Sequence, residues 1–432
     1  MTHLKQLTGA AIGMVVLTLS LRAQTLPLER RVFILSKTYE SIPLQFAHWR
    51  AASFRPDQLD SVYQVFLKRT LETETRKDFA LLMREFVALL NNGHSWYNDS
   101  KIFGATLPIG FNWMNIDNKW IVTRTDIDGM QPGDMVVRVN GKDIDDYYQQ
   151  LSKYFAGSDK RAKQGQLLWT LAALLPSDCT FEVQTKSGNV KQISVNRLSL
   201  KPSVRVPKTE SRWLEAGKIG YIKVPSFNNP EYEKDALEQL KGFINAAAII
   251  VDVRGNGGGS TPSRLTRALM NKPYRWWTES SPLTVGLFRY YAQARPDIEL
   301  NEYFNNAQLT WQSAEIQPDS GAYAGSLVIL TDRRTGSAAE DFAVPFKDNG
   351  RATLIGEATG GSTGQPYMFN FGDGISIGIG TKRAFMPNGA EFEGIGIMPD
   401  IAVPMQREDI YSGKDRALEK AIAEAKKPIQ ER

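Results

Sequence analysis

The stretch TGSAAEDF places Ser337 between an apolar run that predicts a strand, SLVILTD, and a predicted helix that begins at Ala338. A serine at such a strand-to-helix turn exposes its hydroxyl at a sheet edge, and the first N–H groups of the helix can stabilise a developing oxyanion. The pattern is typical of the nucleophile of an acyl transfer. A structural role explains it as well, because serine is a favoured N-cap and Glu340, three residues later, completes a capping box.

A second stretch, DVRGNGGGS at residues 252–260, follows the apolar run AAIIVDV. Glycines this dense let a backbone approach a ligand and turn its N–H groups towards it, which suits a phosphate or the oxyanion of an acyl-transfer intermediate. A phosphate loop is disfavoured, because no GxxxxGK[ST] lysine follows and the spacing is not GxGxxG. An irregular turn capped by Ser260 explains the same residues without chemistry.

A serine hydroxyl becomes a good nucleophile only when a neighbouring base takes its proton. The chain has three histidines, His3, His48 and His94. His94 lies in NNGHSWY, on a loop directly after a predicted helix, whereas His48 lies in the amphipathic stretch FAHWR, where a packing role is expected. The pattern favours His94 as the base, and a desolvated lysine with a lowered pKa is the alternative.

Two regions precede the segment that carries Ser337. Apolar residues recur at helical spacing in FALLMREFVALL, with Asp78 as the predicted N-cap, which indicates an N-terminal helical domain over residues 24–105. Short alternating segments, punctuated by Asn140 with Gly141, then predict a small β-rich domain over residues 106–200.

Over residues 205–410 predicted strands alternate with predicted helices, which is the pattern of an α/β layer fold. Residues 411–432 are rich in charge and are predicted to form a solvated helical tail. The strand-to-helix turns of the α/β region therefore have to position both the serine and the glycine-rich motif.

The 432 residues, 42% hydrophobic and 23% charged, fit about two to four globular domains and exclude a collagen-like, disordered or multi-span membrane protein. The single cysteine, Cys179, excludes an internal disulfide or a thiolate zinc site. The net charge of +5 is spread along the chain, so nucleic-acid binding is not expected. We expect no metal or other cofactor, and the sequence does not indicate an oligomeric state.

The first residues predict a signal peptide, residues 1–23. Lys5 precedes an uncharged run over residues 7–21, which is shorter than the ~20 apolar residues of a membrane span. Cleavage after Ala23 would give an exported protein, periplasmic or extracellular, without stable membrane insertion. The alternative is a buried N-terminal helix on a cytoplasmic protein.

Taken in order, four motifs resemble the tail-specific, C-terminal processing serine peptidase family, whose relatives include the tricorn protease core and the interphotoreceptor retinoid-binding protein repeats. The motifs are DVRGNGGG, the SAAE within TGSAAEDF, GEATGG and GIGIMPDIAV. The resemblance implies a ClpP/crotonase-like α/β peptidase domain at residues 205–410. The β-rich domain resembles an inserted PDZ domain, in which PIGF lies at the carboxylate-binding loop; Ile109, Gly110 and Phe111 are thereby implied to bind a peptide.

Carried over by position, the resemblance assigns the nucleophile to Ser337 and the oxyanion hole to the N–H groups of Ala338 and of Gly257 or Gly258. Members with a Ser–Lys dyad have their lysine shortly after the GExT motif, where this chain has Ser362. The simple dyad is therefore not expected here.

The tricorn-like branch uses a histidine base supported by a carboxylate, and the matching positions hold His94 and Glu393. Glu391 is the alternative carboxylate, and Lys382 is the remaining lysine candidate. The resemblance implies an exported serine peptidase that acts on unfolded or C-terminally presented polypeptides through an acyl-enzyme. The alternative is a catalytically inactive protein that binds peptides or apolar ligands on the same scaffold.

The segment at residues 272–325 is longer than a helix-to-strand link needs. We interpret it as a cap or cleft wall that grips apolar side chains of a peptide, although packing within an elaborated domain explains it equally well. Its aromatic residues are Trp276, Trp277, Phe288, Tyr290, Tyr291, Tyr303, Phe304 and Trp311.

Overall fold

The computed structural model describes residues 26–104, 106–201, 206–282 and 310–427. The predicted signal peptide lies outside these ranges, as does the middle of the aromatic-rich segment with Phe288, Tyr290, Tyr291, Tyr303 and Phe304. Among the helices of the described ranges, none has the length and apolarity needed to cross a membrane.

Four helices and one strand form the N-terminal part. They are α1 (Leu28–Gln45), α2 (Leu59–Glu72), α3 (Arg76–Ala88), β1 (Trp96–Asp99) and α4 (Ser100–Phe103), with a 3₁₀ turn at Pro56–Gln58. The apolar faces of these helices do not form a complete core by themselves. Ile375, Ile377 and Ile379 of the α/β region belong to the same hydrophobic core. The N-terminal helices are therefore built onto the α/β region.

Helix α3 begins at Arg76, two residues before the predicted N-cap, Asp78. The cap is Thr75, whose hydroxyl accepts the Asp78 N–H at 3.1 Å, while the Asp78 carboxylate accepts the Thr75 N–H at 3.3 Å. The prediction of Asp78 as the N-cap is thus wrong. Asp78 is the third residue of the helix, and its carboxylate forms the second hydrogen bond of a capping box with Thr75.

The middle region, residues 106–201, is β-rich as predicted. Its antiparallel sheet has the order β2-β3-β4-β6-β7, with β5 paired to β4, and three helices cover it. Trp120, Val136 and Phe181 lie in its core. The elements are β2 (Phe111–Ile116), β3 (Lys119–Thr125), β4 (Met135–Val139), β5 (Lys142–Asp143), α5 (Ile144–Leu151), α6 (Lys160–Gly165), α7 (Leu167–Leu174), β6 (Asp178–Gln184) and β7 (Val190–Asn196), with a 3₁₀ turn at Ser152–Tyr154.

A six-stranded sheet forms the centre of the α/β region, in the order β18-β14-β13-β10-β9-β8. All neighbouring strands are parallel except β8, which runs antiparallel to β9. All five residues of β10 are buried, as expected for a parallel strand covered on both faces. The strands are β8 (Glu210–Glu215), β9 (Ile219–Lys223), β10 (Ala248–Asp252), β13 (Ser326–Thr331), β14 (Thr353–Gly356) and β18 (Ile401–Ala402).

Helices cover both faces of this sheet. Helices α8 (Pro230–Lys241), α9 (Ser263–Leu269) and α10 (Ala338–Asp348) alternate with the strands as predicted, and α11 (Arg407–Ser412) and α12 (Arg416–Ala425) follow the last strand. The tail was expected to be solvated, but α12 buries Ala417, Ala421 and Ala425 against the sheet. Glu419 and Lys420 are exposed, and the small alanines let the helix approach the sheet closely.

Two three-stranded sheets flank the central one. The first has the order β1-β16-β15, with β15 (Pro366–Gly372) and β16 (Ile375–Gly380), and the second has the order β12-β11-β17, with β11 (Thr278–Ser280), β12 (Thr310–Gln312) and β17 (Arg383–Phe385). Strand β1 follows the loop that carries His94, so its pairing with β16 attaches this loop to the α/β region.

Candidate active site

Ser337 lies between β13 and α10, and its backbone has a φ of +52°. For a residue with a Cβ this conformation costs about 1–2 kcal/mol, so surrounding contacts must hold it. Two acceptors share its N–H: the carbonyl oxygen of Ser362 at 3.0 Å and the Glu340 carboxylate at 3.2 Å. The carboxylate half of the predicted capping box is thus present, and the hydroxyl lies 3.2 Å from His94 Nε2.

The His94 ring lies between two serine hydroxyls. Its Nε2 is 3.2 Å from Ser337 Oγ and its Nδ1 is 3.0 Å from Ser362 Oγ, while its backbone N–H donates to Asn92 Oδ1 at 3.0 Å. Burial lowers the pKa of His94 to about 4, so the imidazole is neutral at pH 7. If Nε2 accepts the Ser337 proton, Nδ1 carries the ring hydrogen and donates it to Ser362.

Glu393 is buried behind Ser362, and no direct hydrogen bond joins it to His94 among the described contacts. The Ser362 hydroxyl interacts with both groups. The resemblance had implied that Glu393 supports the His94 imidazole; in the structure the loop at residues 359–363 places Ser362 next to His94 Nδ1. Burial and the neighbouring charge of Glu340 raise the pKa of Glu393 to about 8.

Polar groups from several loops hold the Glu393 carboxylate. Oε1 accepts from Asn92 Nδ2 at 3.2 Å and from Ser158 Oγ at 3.0 Å, and Oε2 accepts from the Thr363 N–H at 3.4 Å. His48, for which we expected a packing role, is 2% exposed and its Nδ1 lies 3.9 Å from Glu393. Burial lowers the pKa of His48 to about 3, so it is uncharged at neutral pH.

Glu340 connects the turn at Ser337 to the loop that carries Ser362. Besides the Ser337 N–H, its buried carboxylate accepts from Thr359 Oγ1 at 2.5 Å, from the Gly361 N–H at 2.7 Å and from the Ser362 N–H at 3.0 Å. Burial raises the pKa of Glu340, and these four donors favour its ionised form. The residue predicted as a simple cap therefore also fixes the loop next to His94.

Of the three predicted oxyanion-hole residues, the structure leaves two N–H groups available. The Ala338 N–H lies at the start of α10, and the Gly257 N–H donates to no described acceptor. The Gly258 N–H donates to Asn256 Oδ1 at 2.9 Å. Gly258 instead lets the glycine-rich loop lie close to Ser337, because a Cβ on Gly258 would be 2.6 Å from Ser337 Cβ. The φ of Gly258, +98°, also favours glycine.

The alternative base and the alternative carboxylate have other partners. Lys382 Nζ lies 2.9 Å and 3.2 Å from the two carboxylate oxygens of Glu279. Glu391, which is 45% exposed, pairs with Arg383 at 2.7 Å. Within the described ranges, no group of three or more His, Cys, Asp or Glu side chains is placed to hold a metal ion.

The predicted peptide-binding residues Ile109, Gly110 and Phe111 lie at the start of β2, an edge strand of the middle sheet. Gly110 has a φ of +84° and turns the chain into the strand. The buried Arg197 guanidinium stabilises the loop before β2, because it donates a hydrogen bond to the carbonyl oxygen of Pro108 at 3.1 Å. An edge strand after a turn of this kind is suited to strand addition by a peptide.

The cap or cleft-wall interpretation of the aromatic-rich segment finds no support in its described side chains. Trp276 is buried in the main α/β core, and its Nε1–H donates to the carbonyl oxygen of Asp341 at 3.0 Å. Trp277 packs beside it, with ring centroids 5.7 Å apart. Core packing accounts for both.

A comparison with known protein families finds a match within the α/β region. Residues 218–403 match peptidase family S41. Over these residues the chain is similar to family S41 peptidases, and we call this segment the S41 domain. The predicted resemblance and the predicted enzyme class, a serine-type peptidase, are thus confirmed for this domain. The match does not reach the middle region, whose PDZ-like character stays a prediction.

Curated relatives agree with the S41 assignment. The chain is 28% identical over 277 residues to a carboxyl-terminal-processing protease of Synechocystis sp., covering 64% of this chain and 55% of the relative. It is 26% identical over 258 residues to the chloroplastic carboxyl-terminal-processing peptidase 2 of Arabidopsis thaliana, covering 57% and 45%. The chain thus spans about half the length of these relatives.

Among solved structures, mature CPAF in complex with lactacystin matches 92% of this chain and 99% of that chain, with a TM-score of 0.68 and 17% identity. This likeness extends beyond the S41 domain to nearly the whole chain. At that identity it shows the fold, and the predicted mixed α/β fold class is confirmed.

Three contributors to the site were not predicted from the sequence. Asn92, close to His94 in NNGHSWY, and Ser158 gave no signal of their own, and the role of Ser362 was not foreseen, although this residue was noticed in the place of the dyad lysine. The serine in place of the lysine was the one available signal for this site. If the lysine is missing, another residue must act as the base, and that base needs a hydrogen-bond partner of its own.

Proposed function

We propose that the chain is an exported serine peptidase that hydrolyses peptide bonds of unfolded or C-terminally presented polypeptides through an acyl-enzyme at Ser337. The observation that carries the proposal is the position of the His94 ring, whose Nε2 lies 3.2 Å from Ser337 Oγ and whose Nδ1 lies 3.0 Å from Ser362 Oγ, with Glu393 buried behind Ser362. Such a set of residues is recognised by roles rather than by chain order.

In the first step, neutral His94 takes the Ser337 proton at Nε2 while Oγ attacks the scissile carbonyl carbon. The N–H groups of Ala338 and Gly257 stabilise the oxyanion of the tetrahedral intermediate. Collapse expels the amine, which takes the proton back from His94, and leaves an ester on Ser337.

Water then hydrolyses this ester by the same sequence of proton transfers. In both halves His94 becomes a cation, and its Nδ1–H donates to the Ser362 hydroxyl, which in turn donates to Glu393. The ionised carboxylate thereby stabilises the imidazolium across one intervening hydroxyl.

Two further features support the substrate class and the location. The turn at Ile109, Gly110 and Phe111 opens an edge strand that suits an extended peptide with a free C-terminus. Lys5 and the uncharged run after it support export, which N-terminal sequencing of the mature protein would test.

The decisive test replaces Ser337 with alanine. The wild-type protein is expected to hydrolyse unfolded casein and to react covalently with a fluorophosphonate probe, and Ser337→Ala to lose both. Ser260→Ala, which removes an exposed hydroxyl on the glycine-rich loop, is the control and should keep both. Turnover by Ser337→Ala would exclude this nucleophile, and peptide binding without turnover by the wild type would favour the inactive binding protein.

A further inference from the structure

One loop of the middle region enters the candidate active site. Ser158, between the 3₁₀ turn at Ser152–Tyr154 and α6, donates its hydroxyl hydrogen to Glu393 Oε1 at 3.0 Å. Ser158 Oγ also accepts weakly from the N–H of Gly93, the residue before His94, at 3.4 Å. Ser158 therefore contacts both the carboxylate and the loop of the base.

The rest of this loop is fixed to the S41 domain around Glu393. Arg161 Nη2 donates to the carbonyl oxygens of Thr359 at 3.2 Å and Ile395 at 3.1 Å. Asp159 holds the same guanidinium at 2.7 Å and caps α6 by accepting the Ala162 N–H. The guanidinium is thus fixed between the two loops that carry Ser362 and Glu393, and the position of Ser158 follows from it.

We infer that Ser158 is a positioning residue of the reaction: its hydroxyl orients Glu393 and favours its ionised form, so that the middle region completes the active site of the S41 domain. This inference rests on the proposed function. It assigns the middle region a direct part in the chemistry, in addition to any binding of peptide.

The charges around Glu393 explain why one hydroxyl matters. Glu340 is a like charge and opposes ionisation, whereas His48 and His94 are the facing titratable groups and are neutral at pH 7. No permanent positive charge among these groups compensates the buried carboxylate. Hydrogen bonds such as that from Ser158 are therefore what keeps an ionised fraction.

The experiment measures kcat and KM between pH 6 and pH 10 for Ser158→Ala, Ser158→Thr and the control Ser152→Ala. The control removes another middle-region hydroxyl, which donates only to the carbonyl oxygen of Gln149. Loss of one hydrogen bond should move the acid limb of kcat/KM up by about one pH unit. Ser158→Ala should therefore be about tenfold slower at pH 7 with KM unchanged, and close to wild type at pH 10; Ser158→Thr should restore most of the rate.

A double-mutant cycle separates positioning from general damage. In a Glu393→Gln background, Ser158→Ala should change kcat/KM by no more than about twofold. An equal loss in both backgrounds, a loss independent of pH, or an unchanged rate in Ser158→Ala would overturn the inference while the peptidase stands. A wild-type protein without turnover or fluorophosphonate labelling would instead overturn the proposed function and this inference with it.

Discussion

The hydroxyl of Ser362 can be removed without disturbing the loop that carries it, which makes Ser362→Ala a clean test of the mechanism. The backbone of Ser362 holds the loop in place, since its N–H donates to Glu340 and its carbonyl accepts the Ser337 N–H. Both bonds survive the substitution. Only the contact of the side chain with His94 Nδ1, at 3.0 Å, and its interaction with Glu393 are lost.

The expected loss follows from the charge that develops on His94. A hydrogen bond to a charged group contributes about 1.5–3 kcal/mol, and each 1.4 kcal/mol of barrier is about tenfold in rate. The bond from Nδ1–H to Ser362 gains this charge only when the imidazolium forms. Ser362→Ala should therefore lower kcat about 10- to 150-fold and leave KM nearly unchanged.

The assay uses a quenched fluorogenic peptide, designed from a cleavage site mapped in casein, together with the rate of fluorophosphonate labelling of Ser337. Ser362→Thr keeps the hydroxyl and should recover most of the rate, and Ser260→Ala is the control. Thermal unfolding midpoints should agree among the variants. A kcat for Ser362→Ala within twofold of wild type would refute the linking role of this hydroxyl, as would equal losses in the alanine and threonine variants.

Three other outcomes follow from the site. Because the pKa of Glu393 is raised to about 8 and the reaction needs its ionised form, kcat/KM should climb as pH rises from 6 to 9, and Glu393→Gln should flatten this limb. Gly258→Ala should cost about 100-fold or more in kcat, because its Cβ would collide with Ser337, whereas Gly257→Ala, with no atom within 4 Å of the new Cβ, should cost less than fivefold. Lys382→Met should keep a pH-dependent rate within about tenfold of wild type, and a complete loss of labelling with folding intact would revive the lysine as base.

The α/β fold could be predicted from the sequence because its strands and helices alternate regularly and its central strands are buried. The AAIIVDV and SLVILTD runs became neighbouring parallel strands, with Ile250 opposite Val328. The error in the helix boundary arose at the end of an element, where a single side chain determines which residue is the cap. Asp78 suits an N-cap as well as a third helical position, and only the preceding Thr75 settles which it is.

The parts of the site were predictable as residue types, whereas their connections were not. The capping-box pattern at Ser337 is the same for an inert helix start and for a nucleophile turn; the φ of +52° and the approach of His94 distinguish them. Sequence spacing carries no information on such contacts, because Ser337 and His94 are 243 positions apart. Ser158 is harder still to predict, since it lies on a loop of the middle region that reaches the site only in three dimensions.

Gly93, the residue directly before His94, leaves room for the hydroxyl of Ser362. A Cβ on Gly93 would lie 2.8 Å from Ser362 Oγ, so a side chain there would displace the Ser362 hydroxyl from its present position. The hydroxyl that bonds His94 Nδ1 therefore comes from the GEATGGS loop, at the position where dyad members have their lysine. The residue that stands in place of the dyad lysine is thus also the partner of His94 Nδ1, so the loss of one base and the support of the other candidate base involve the same position.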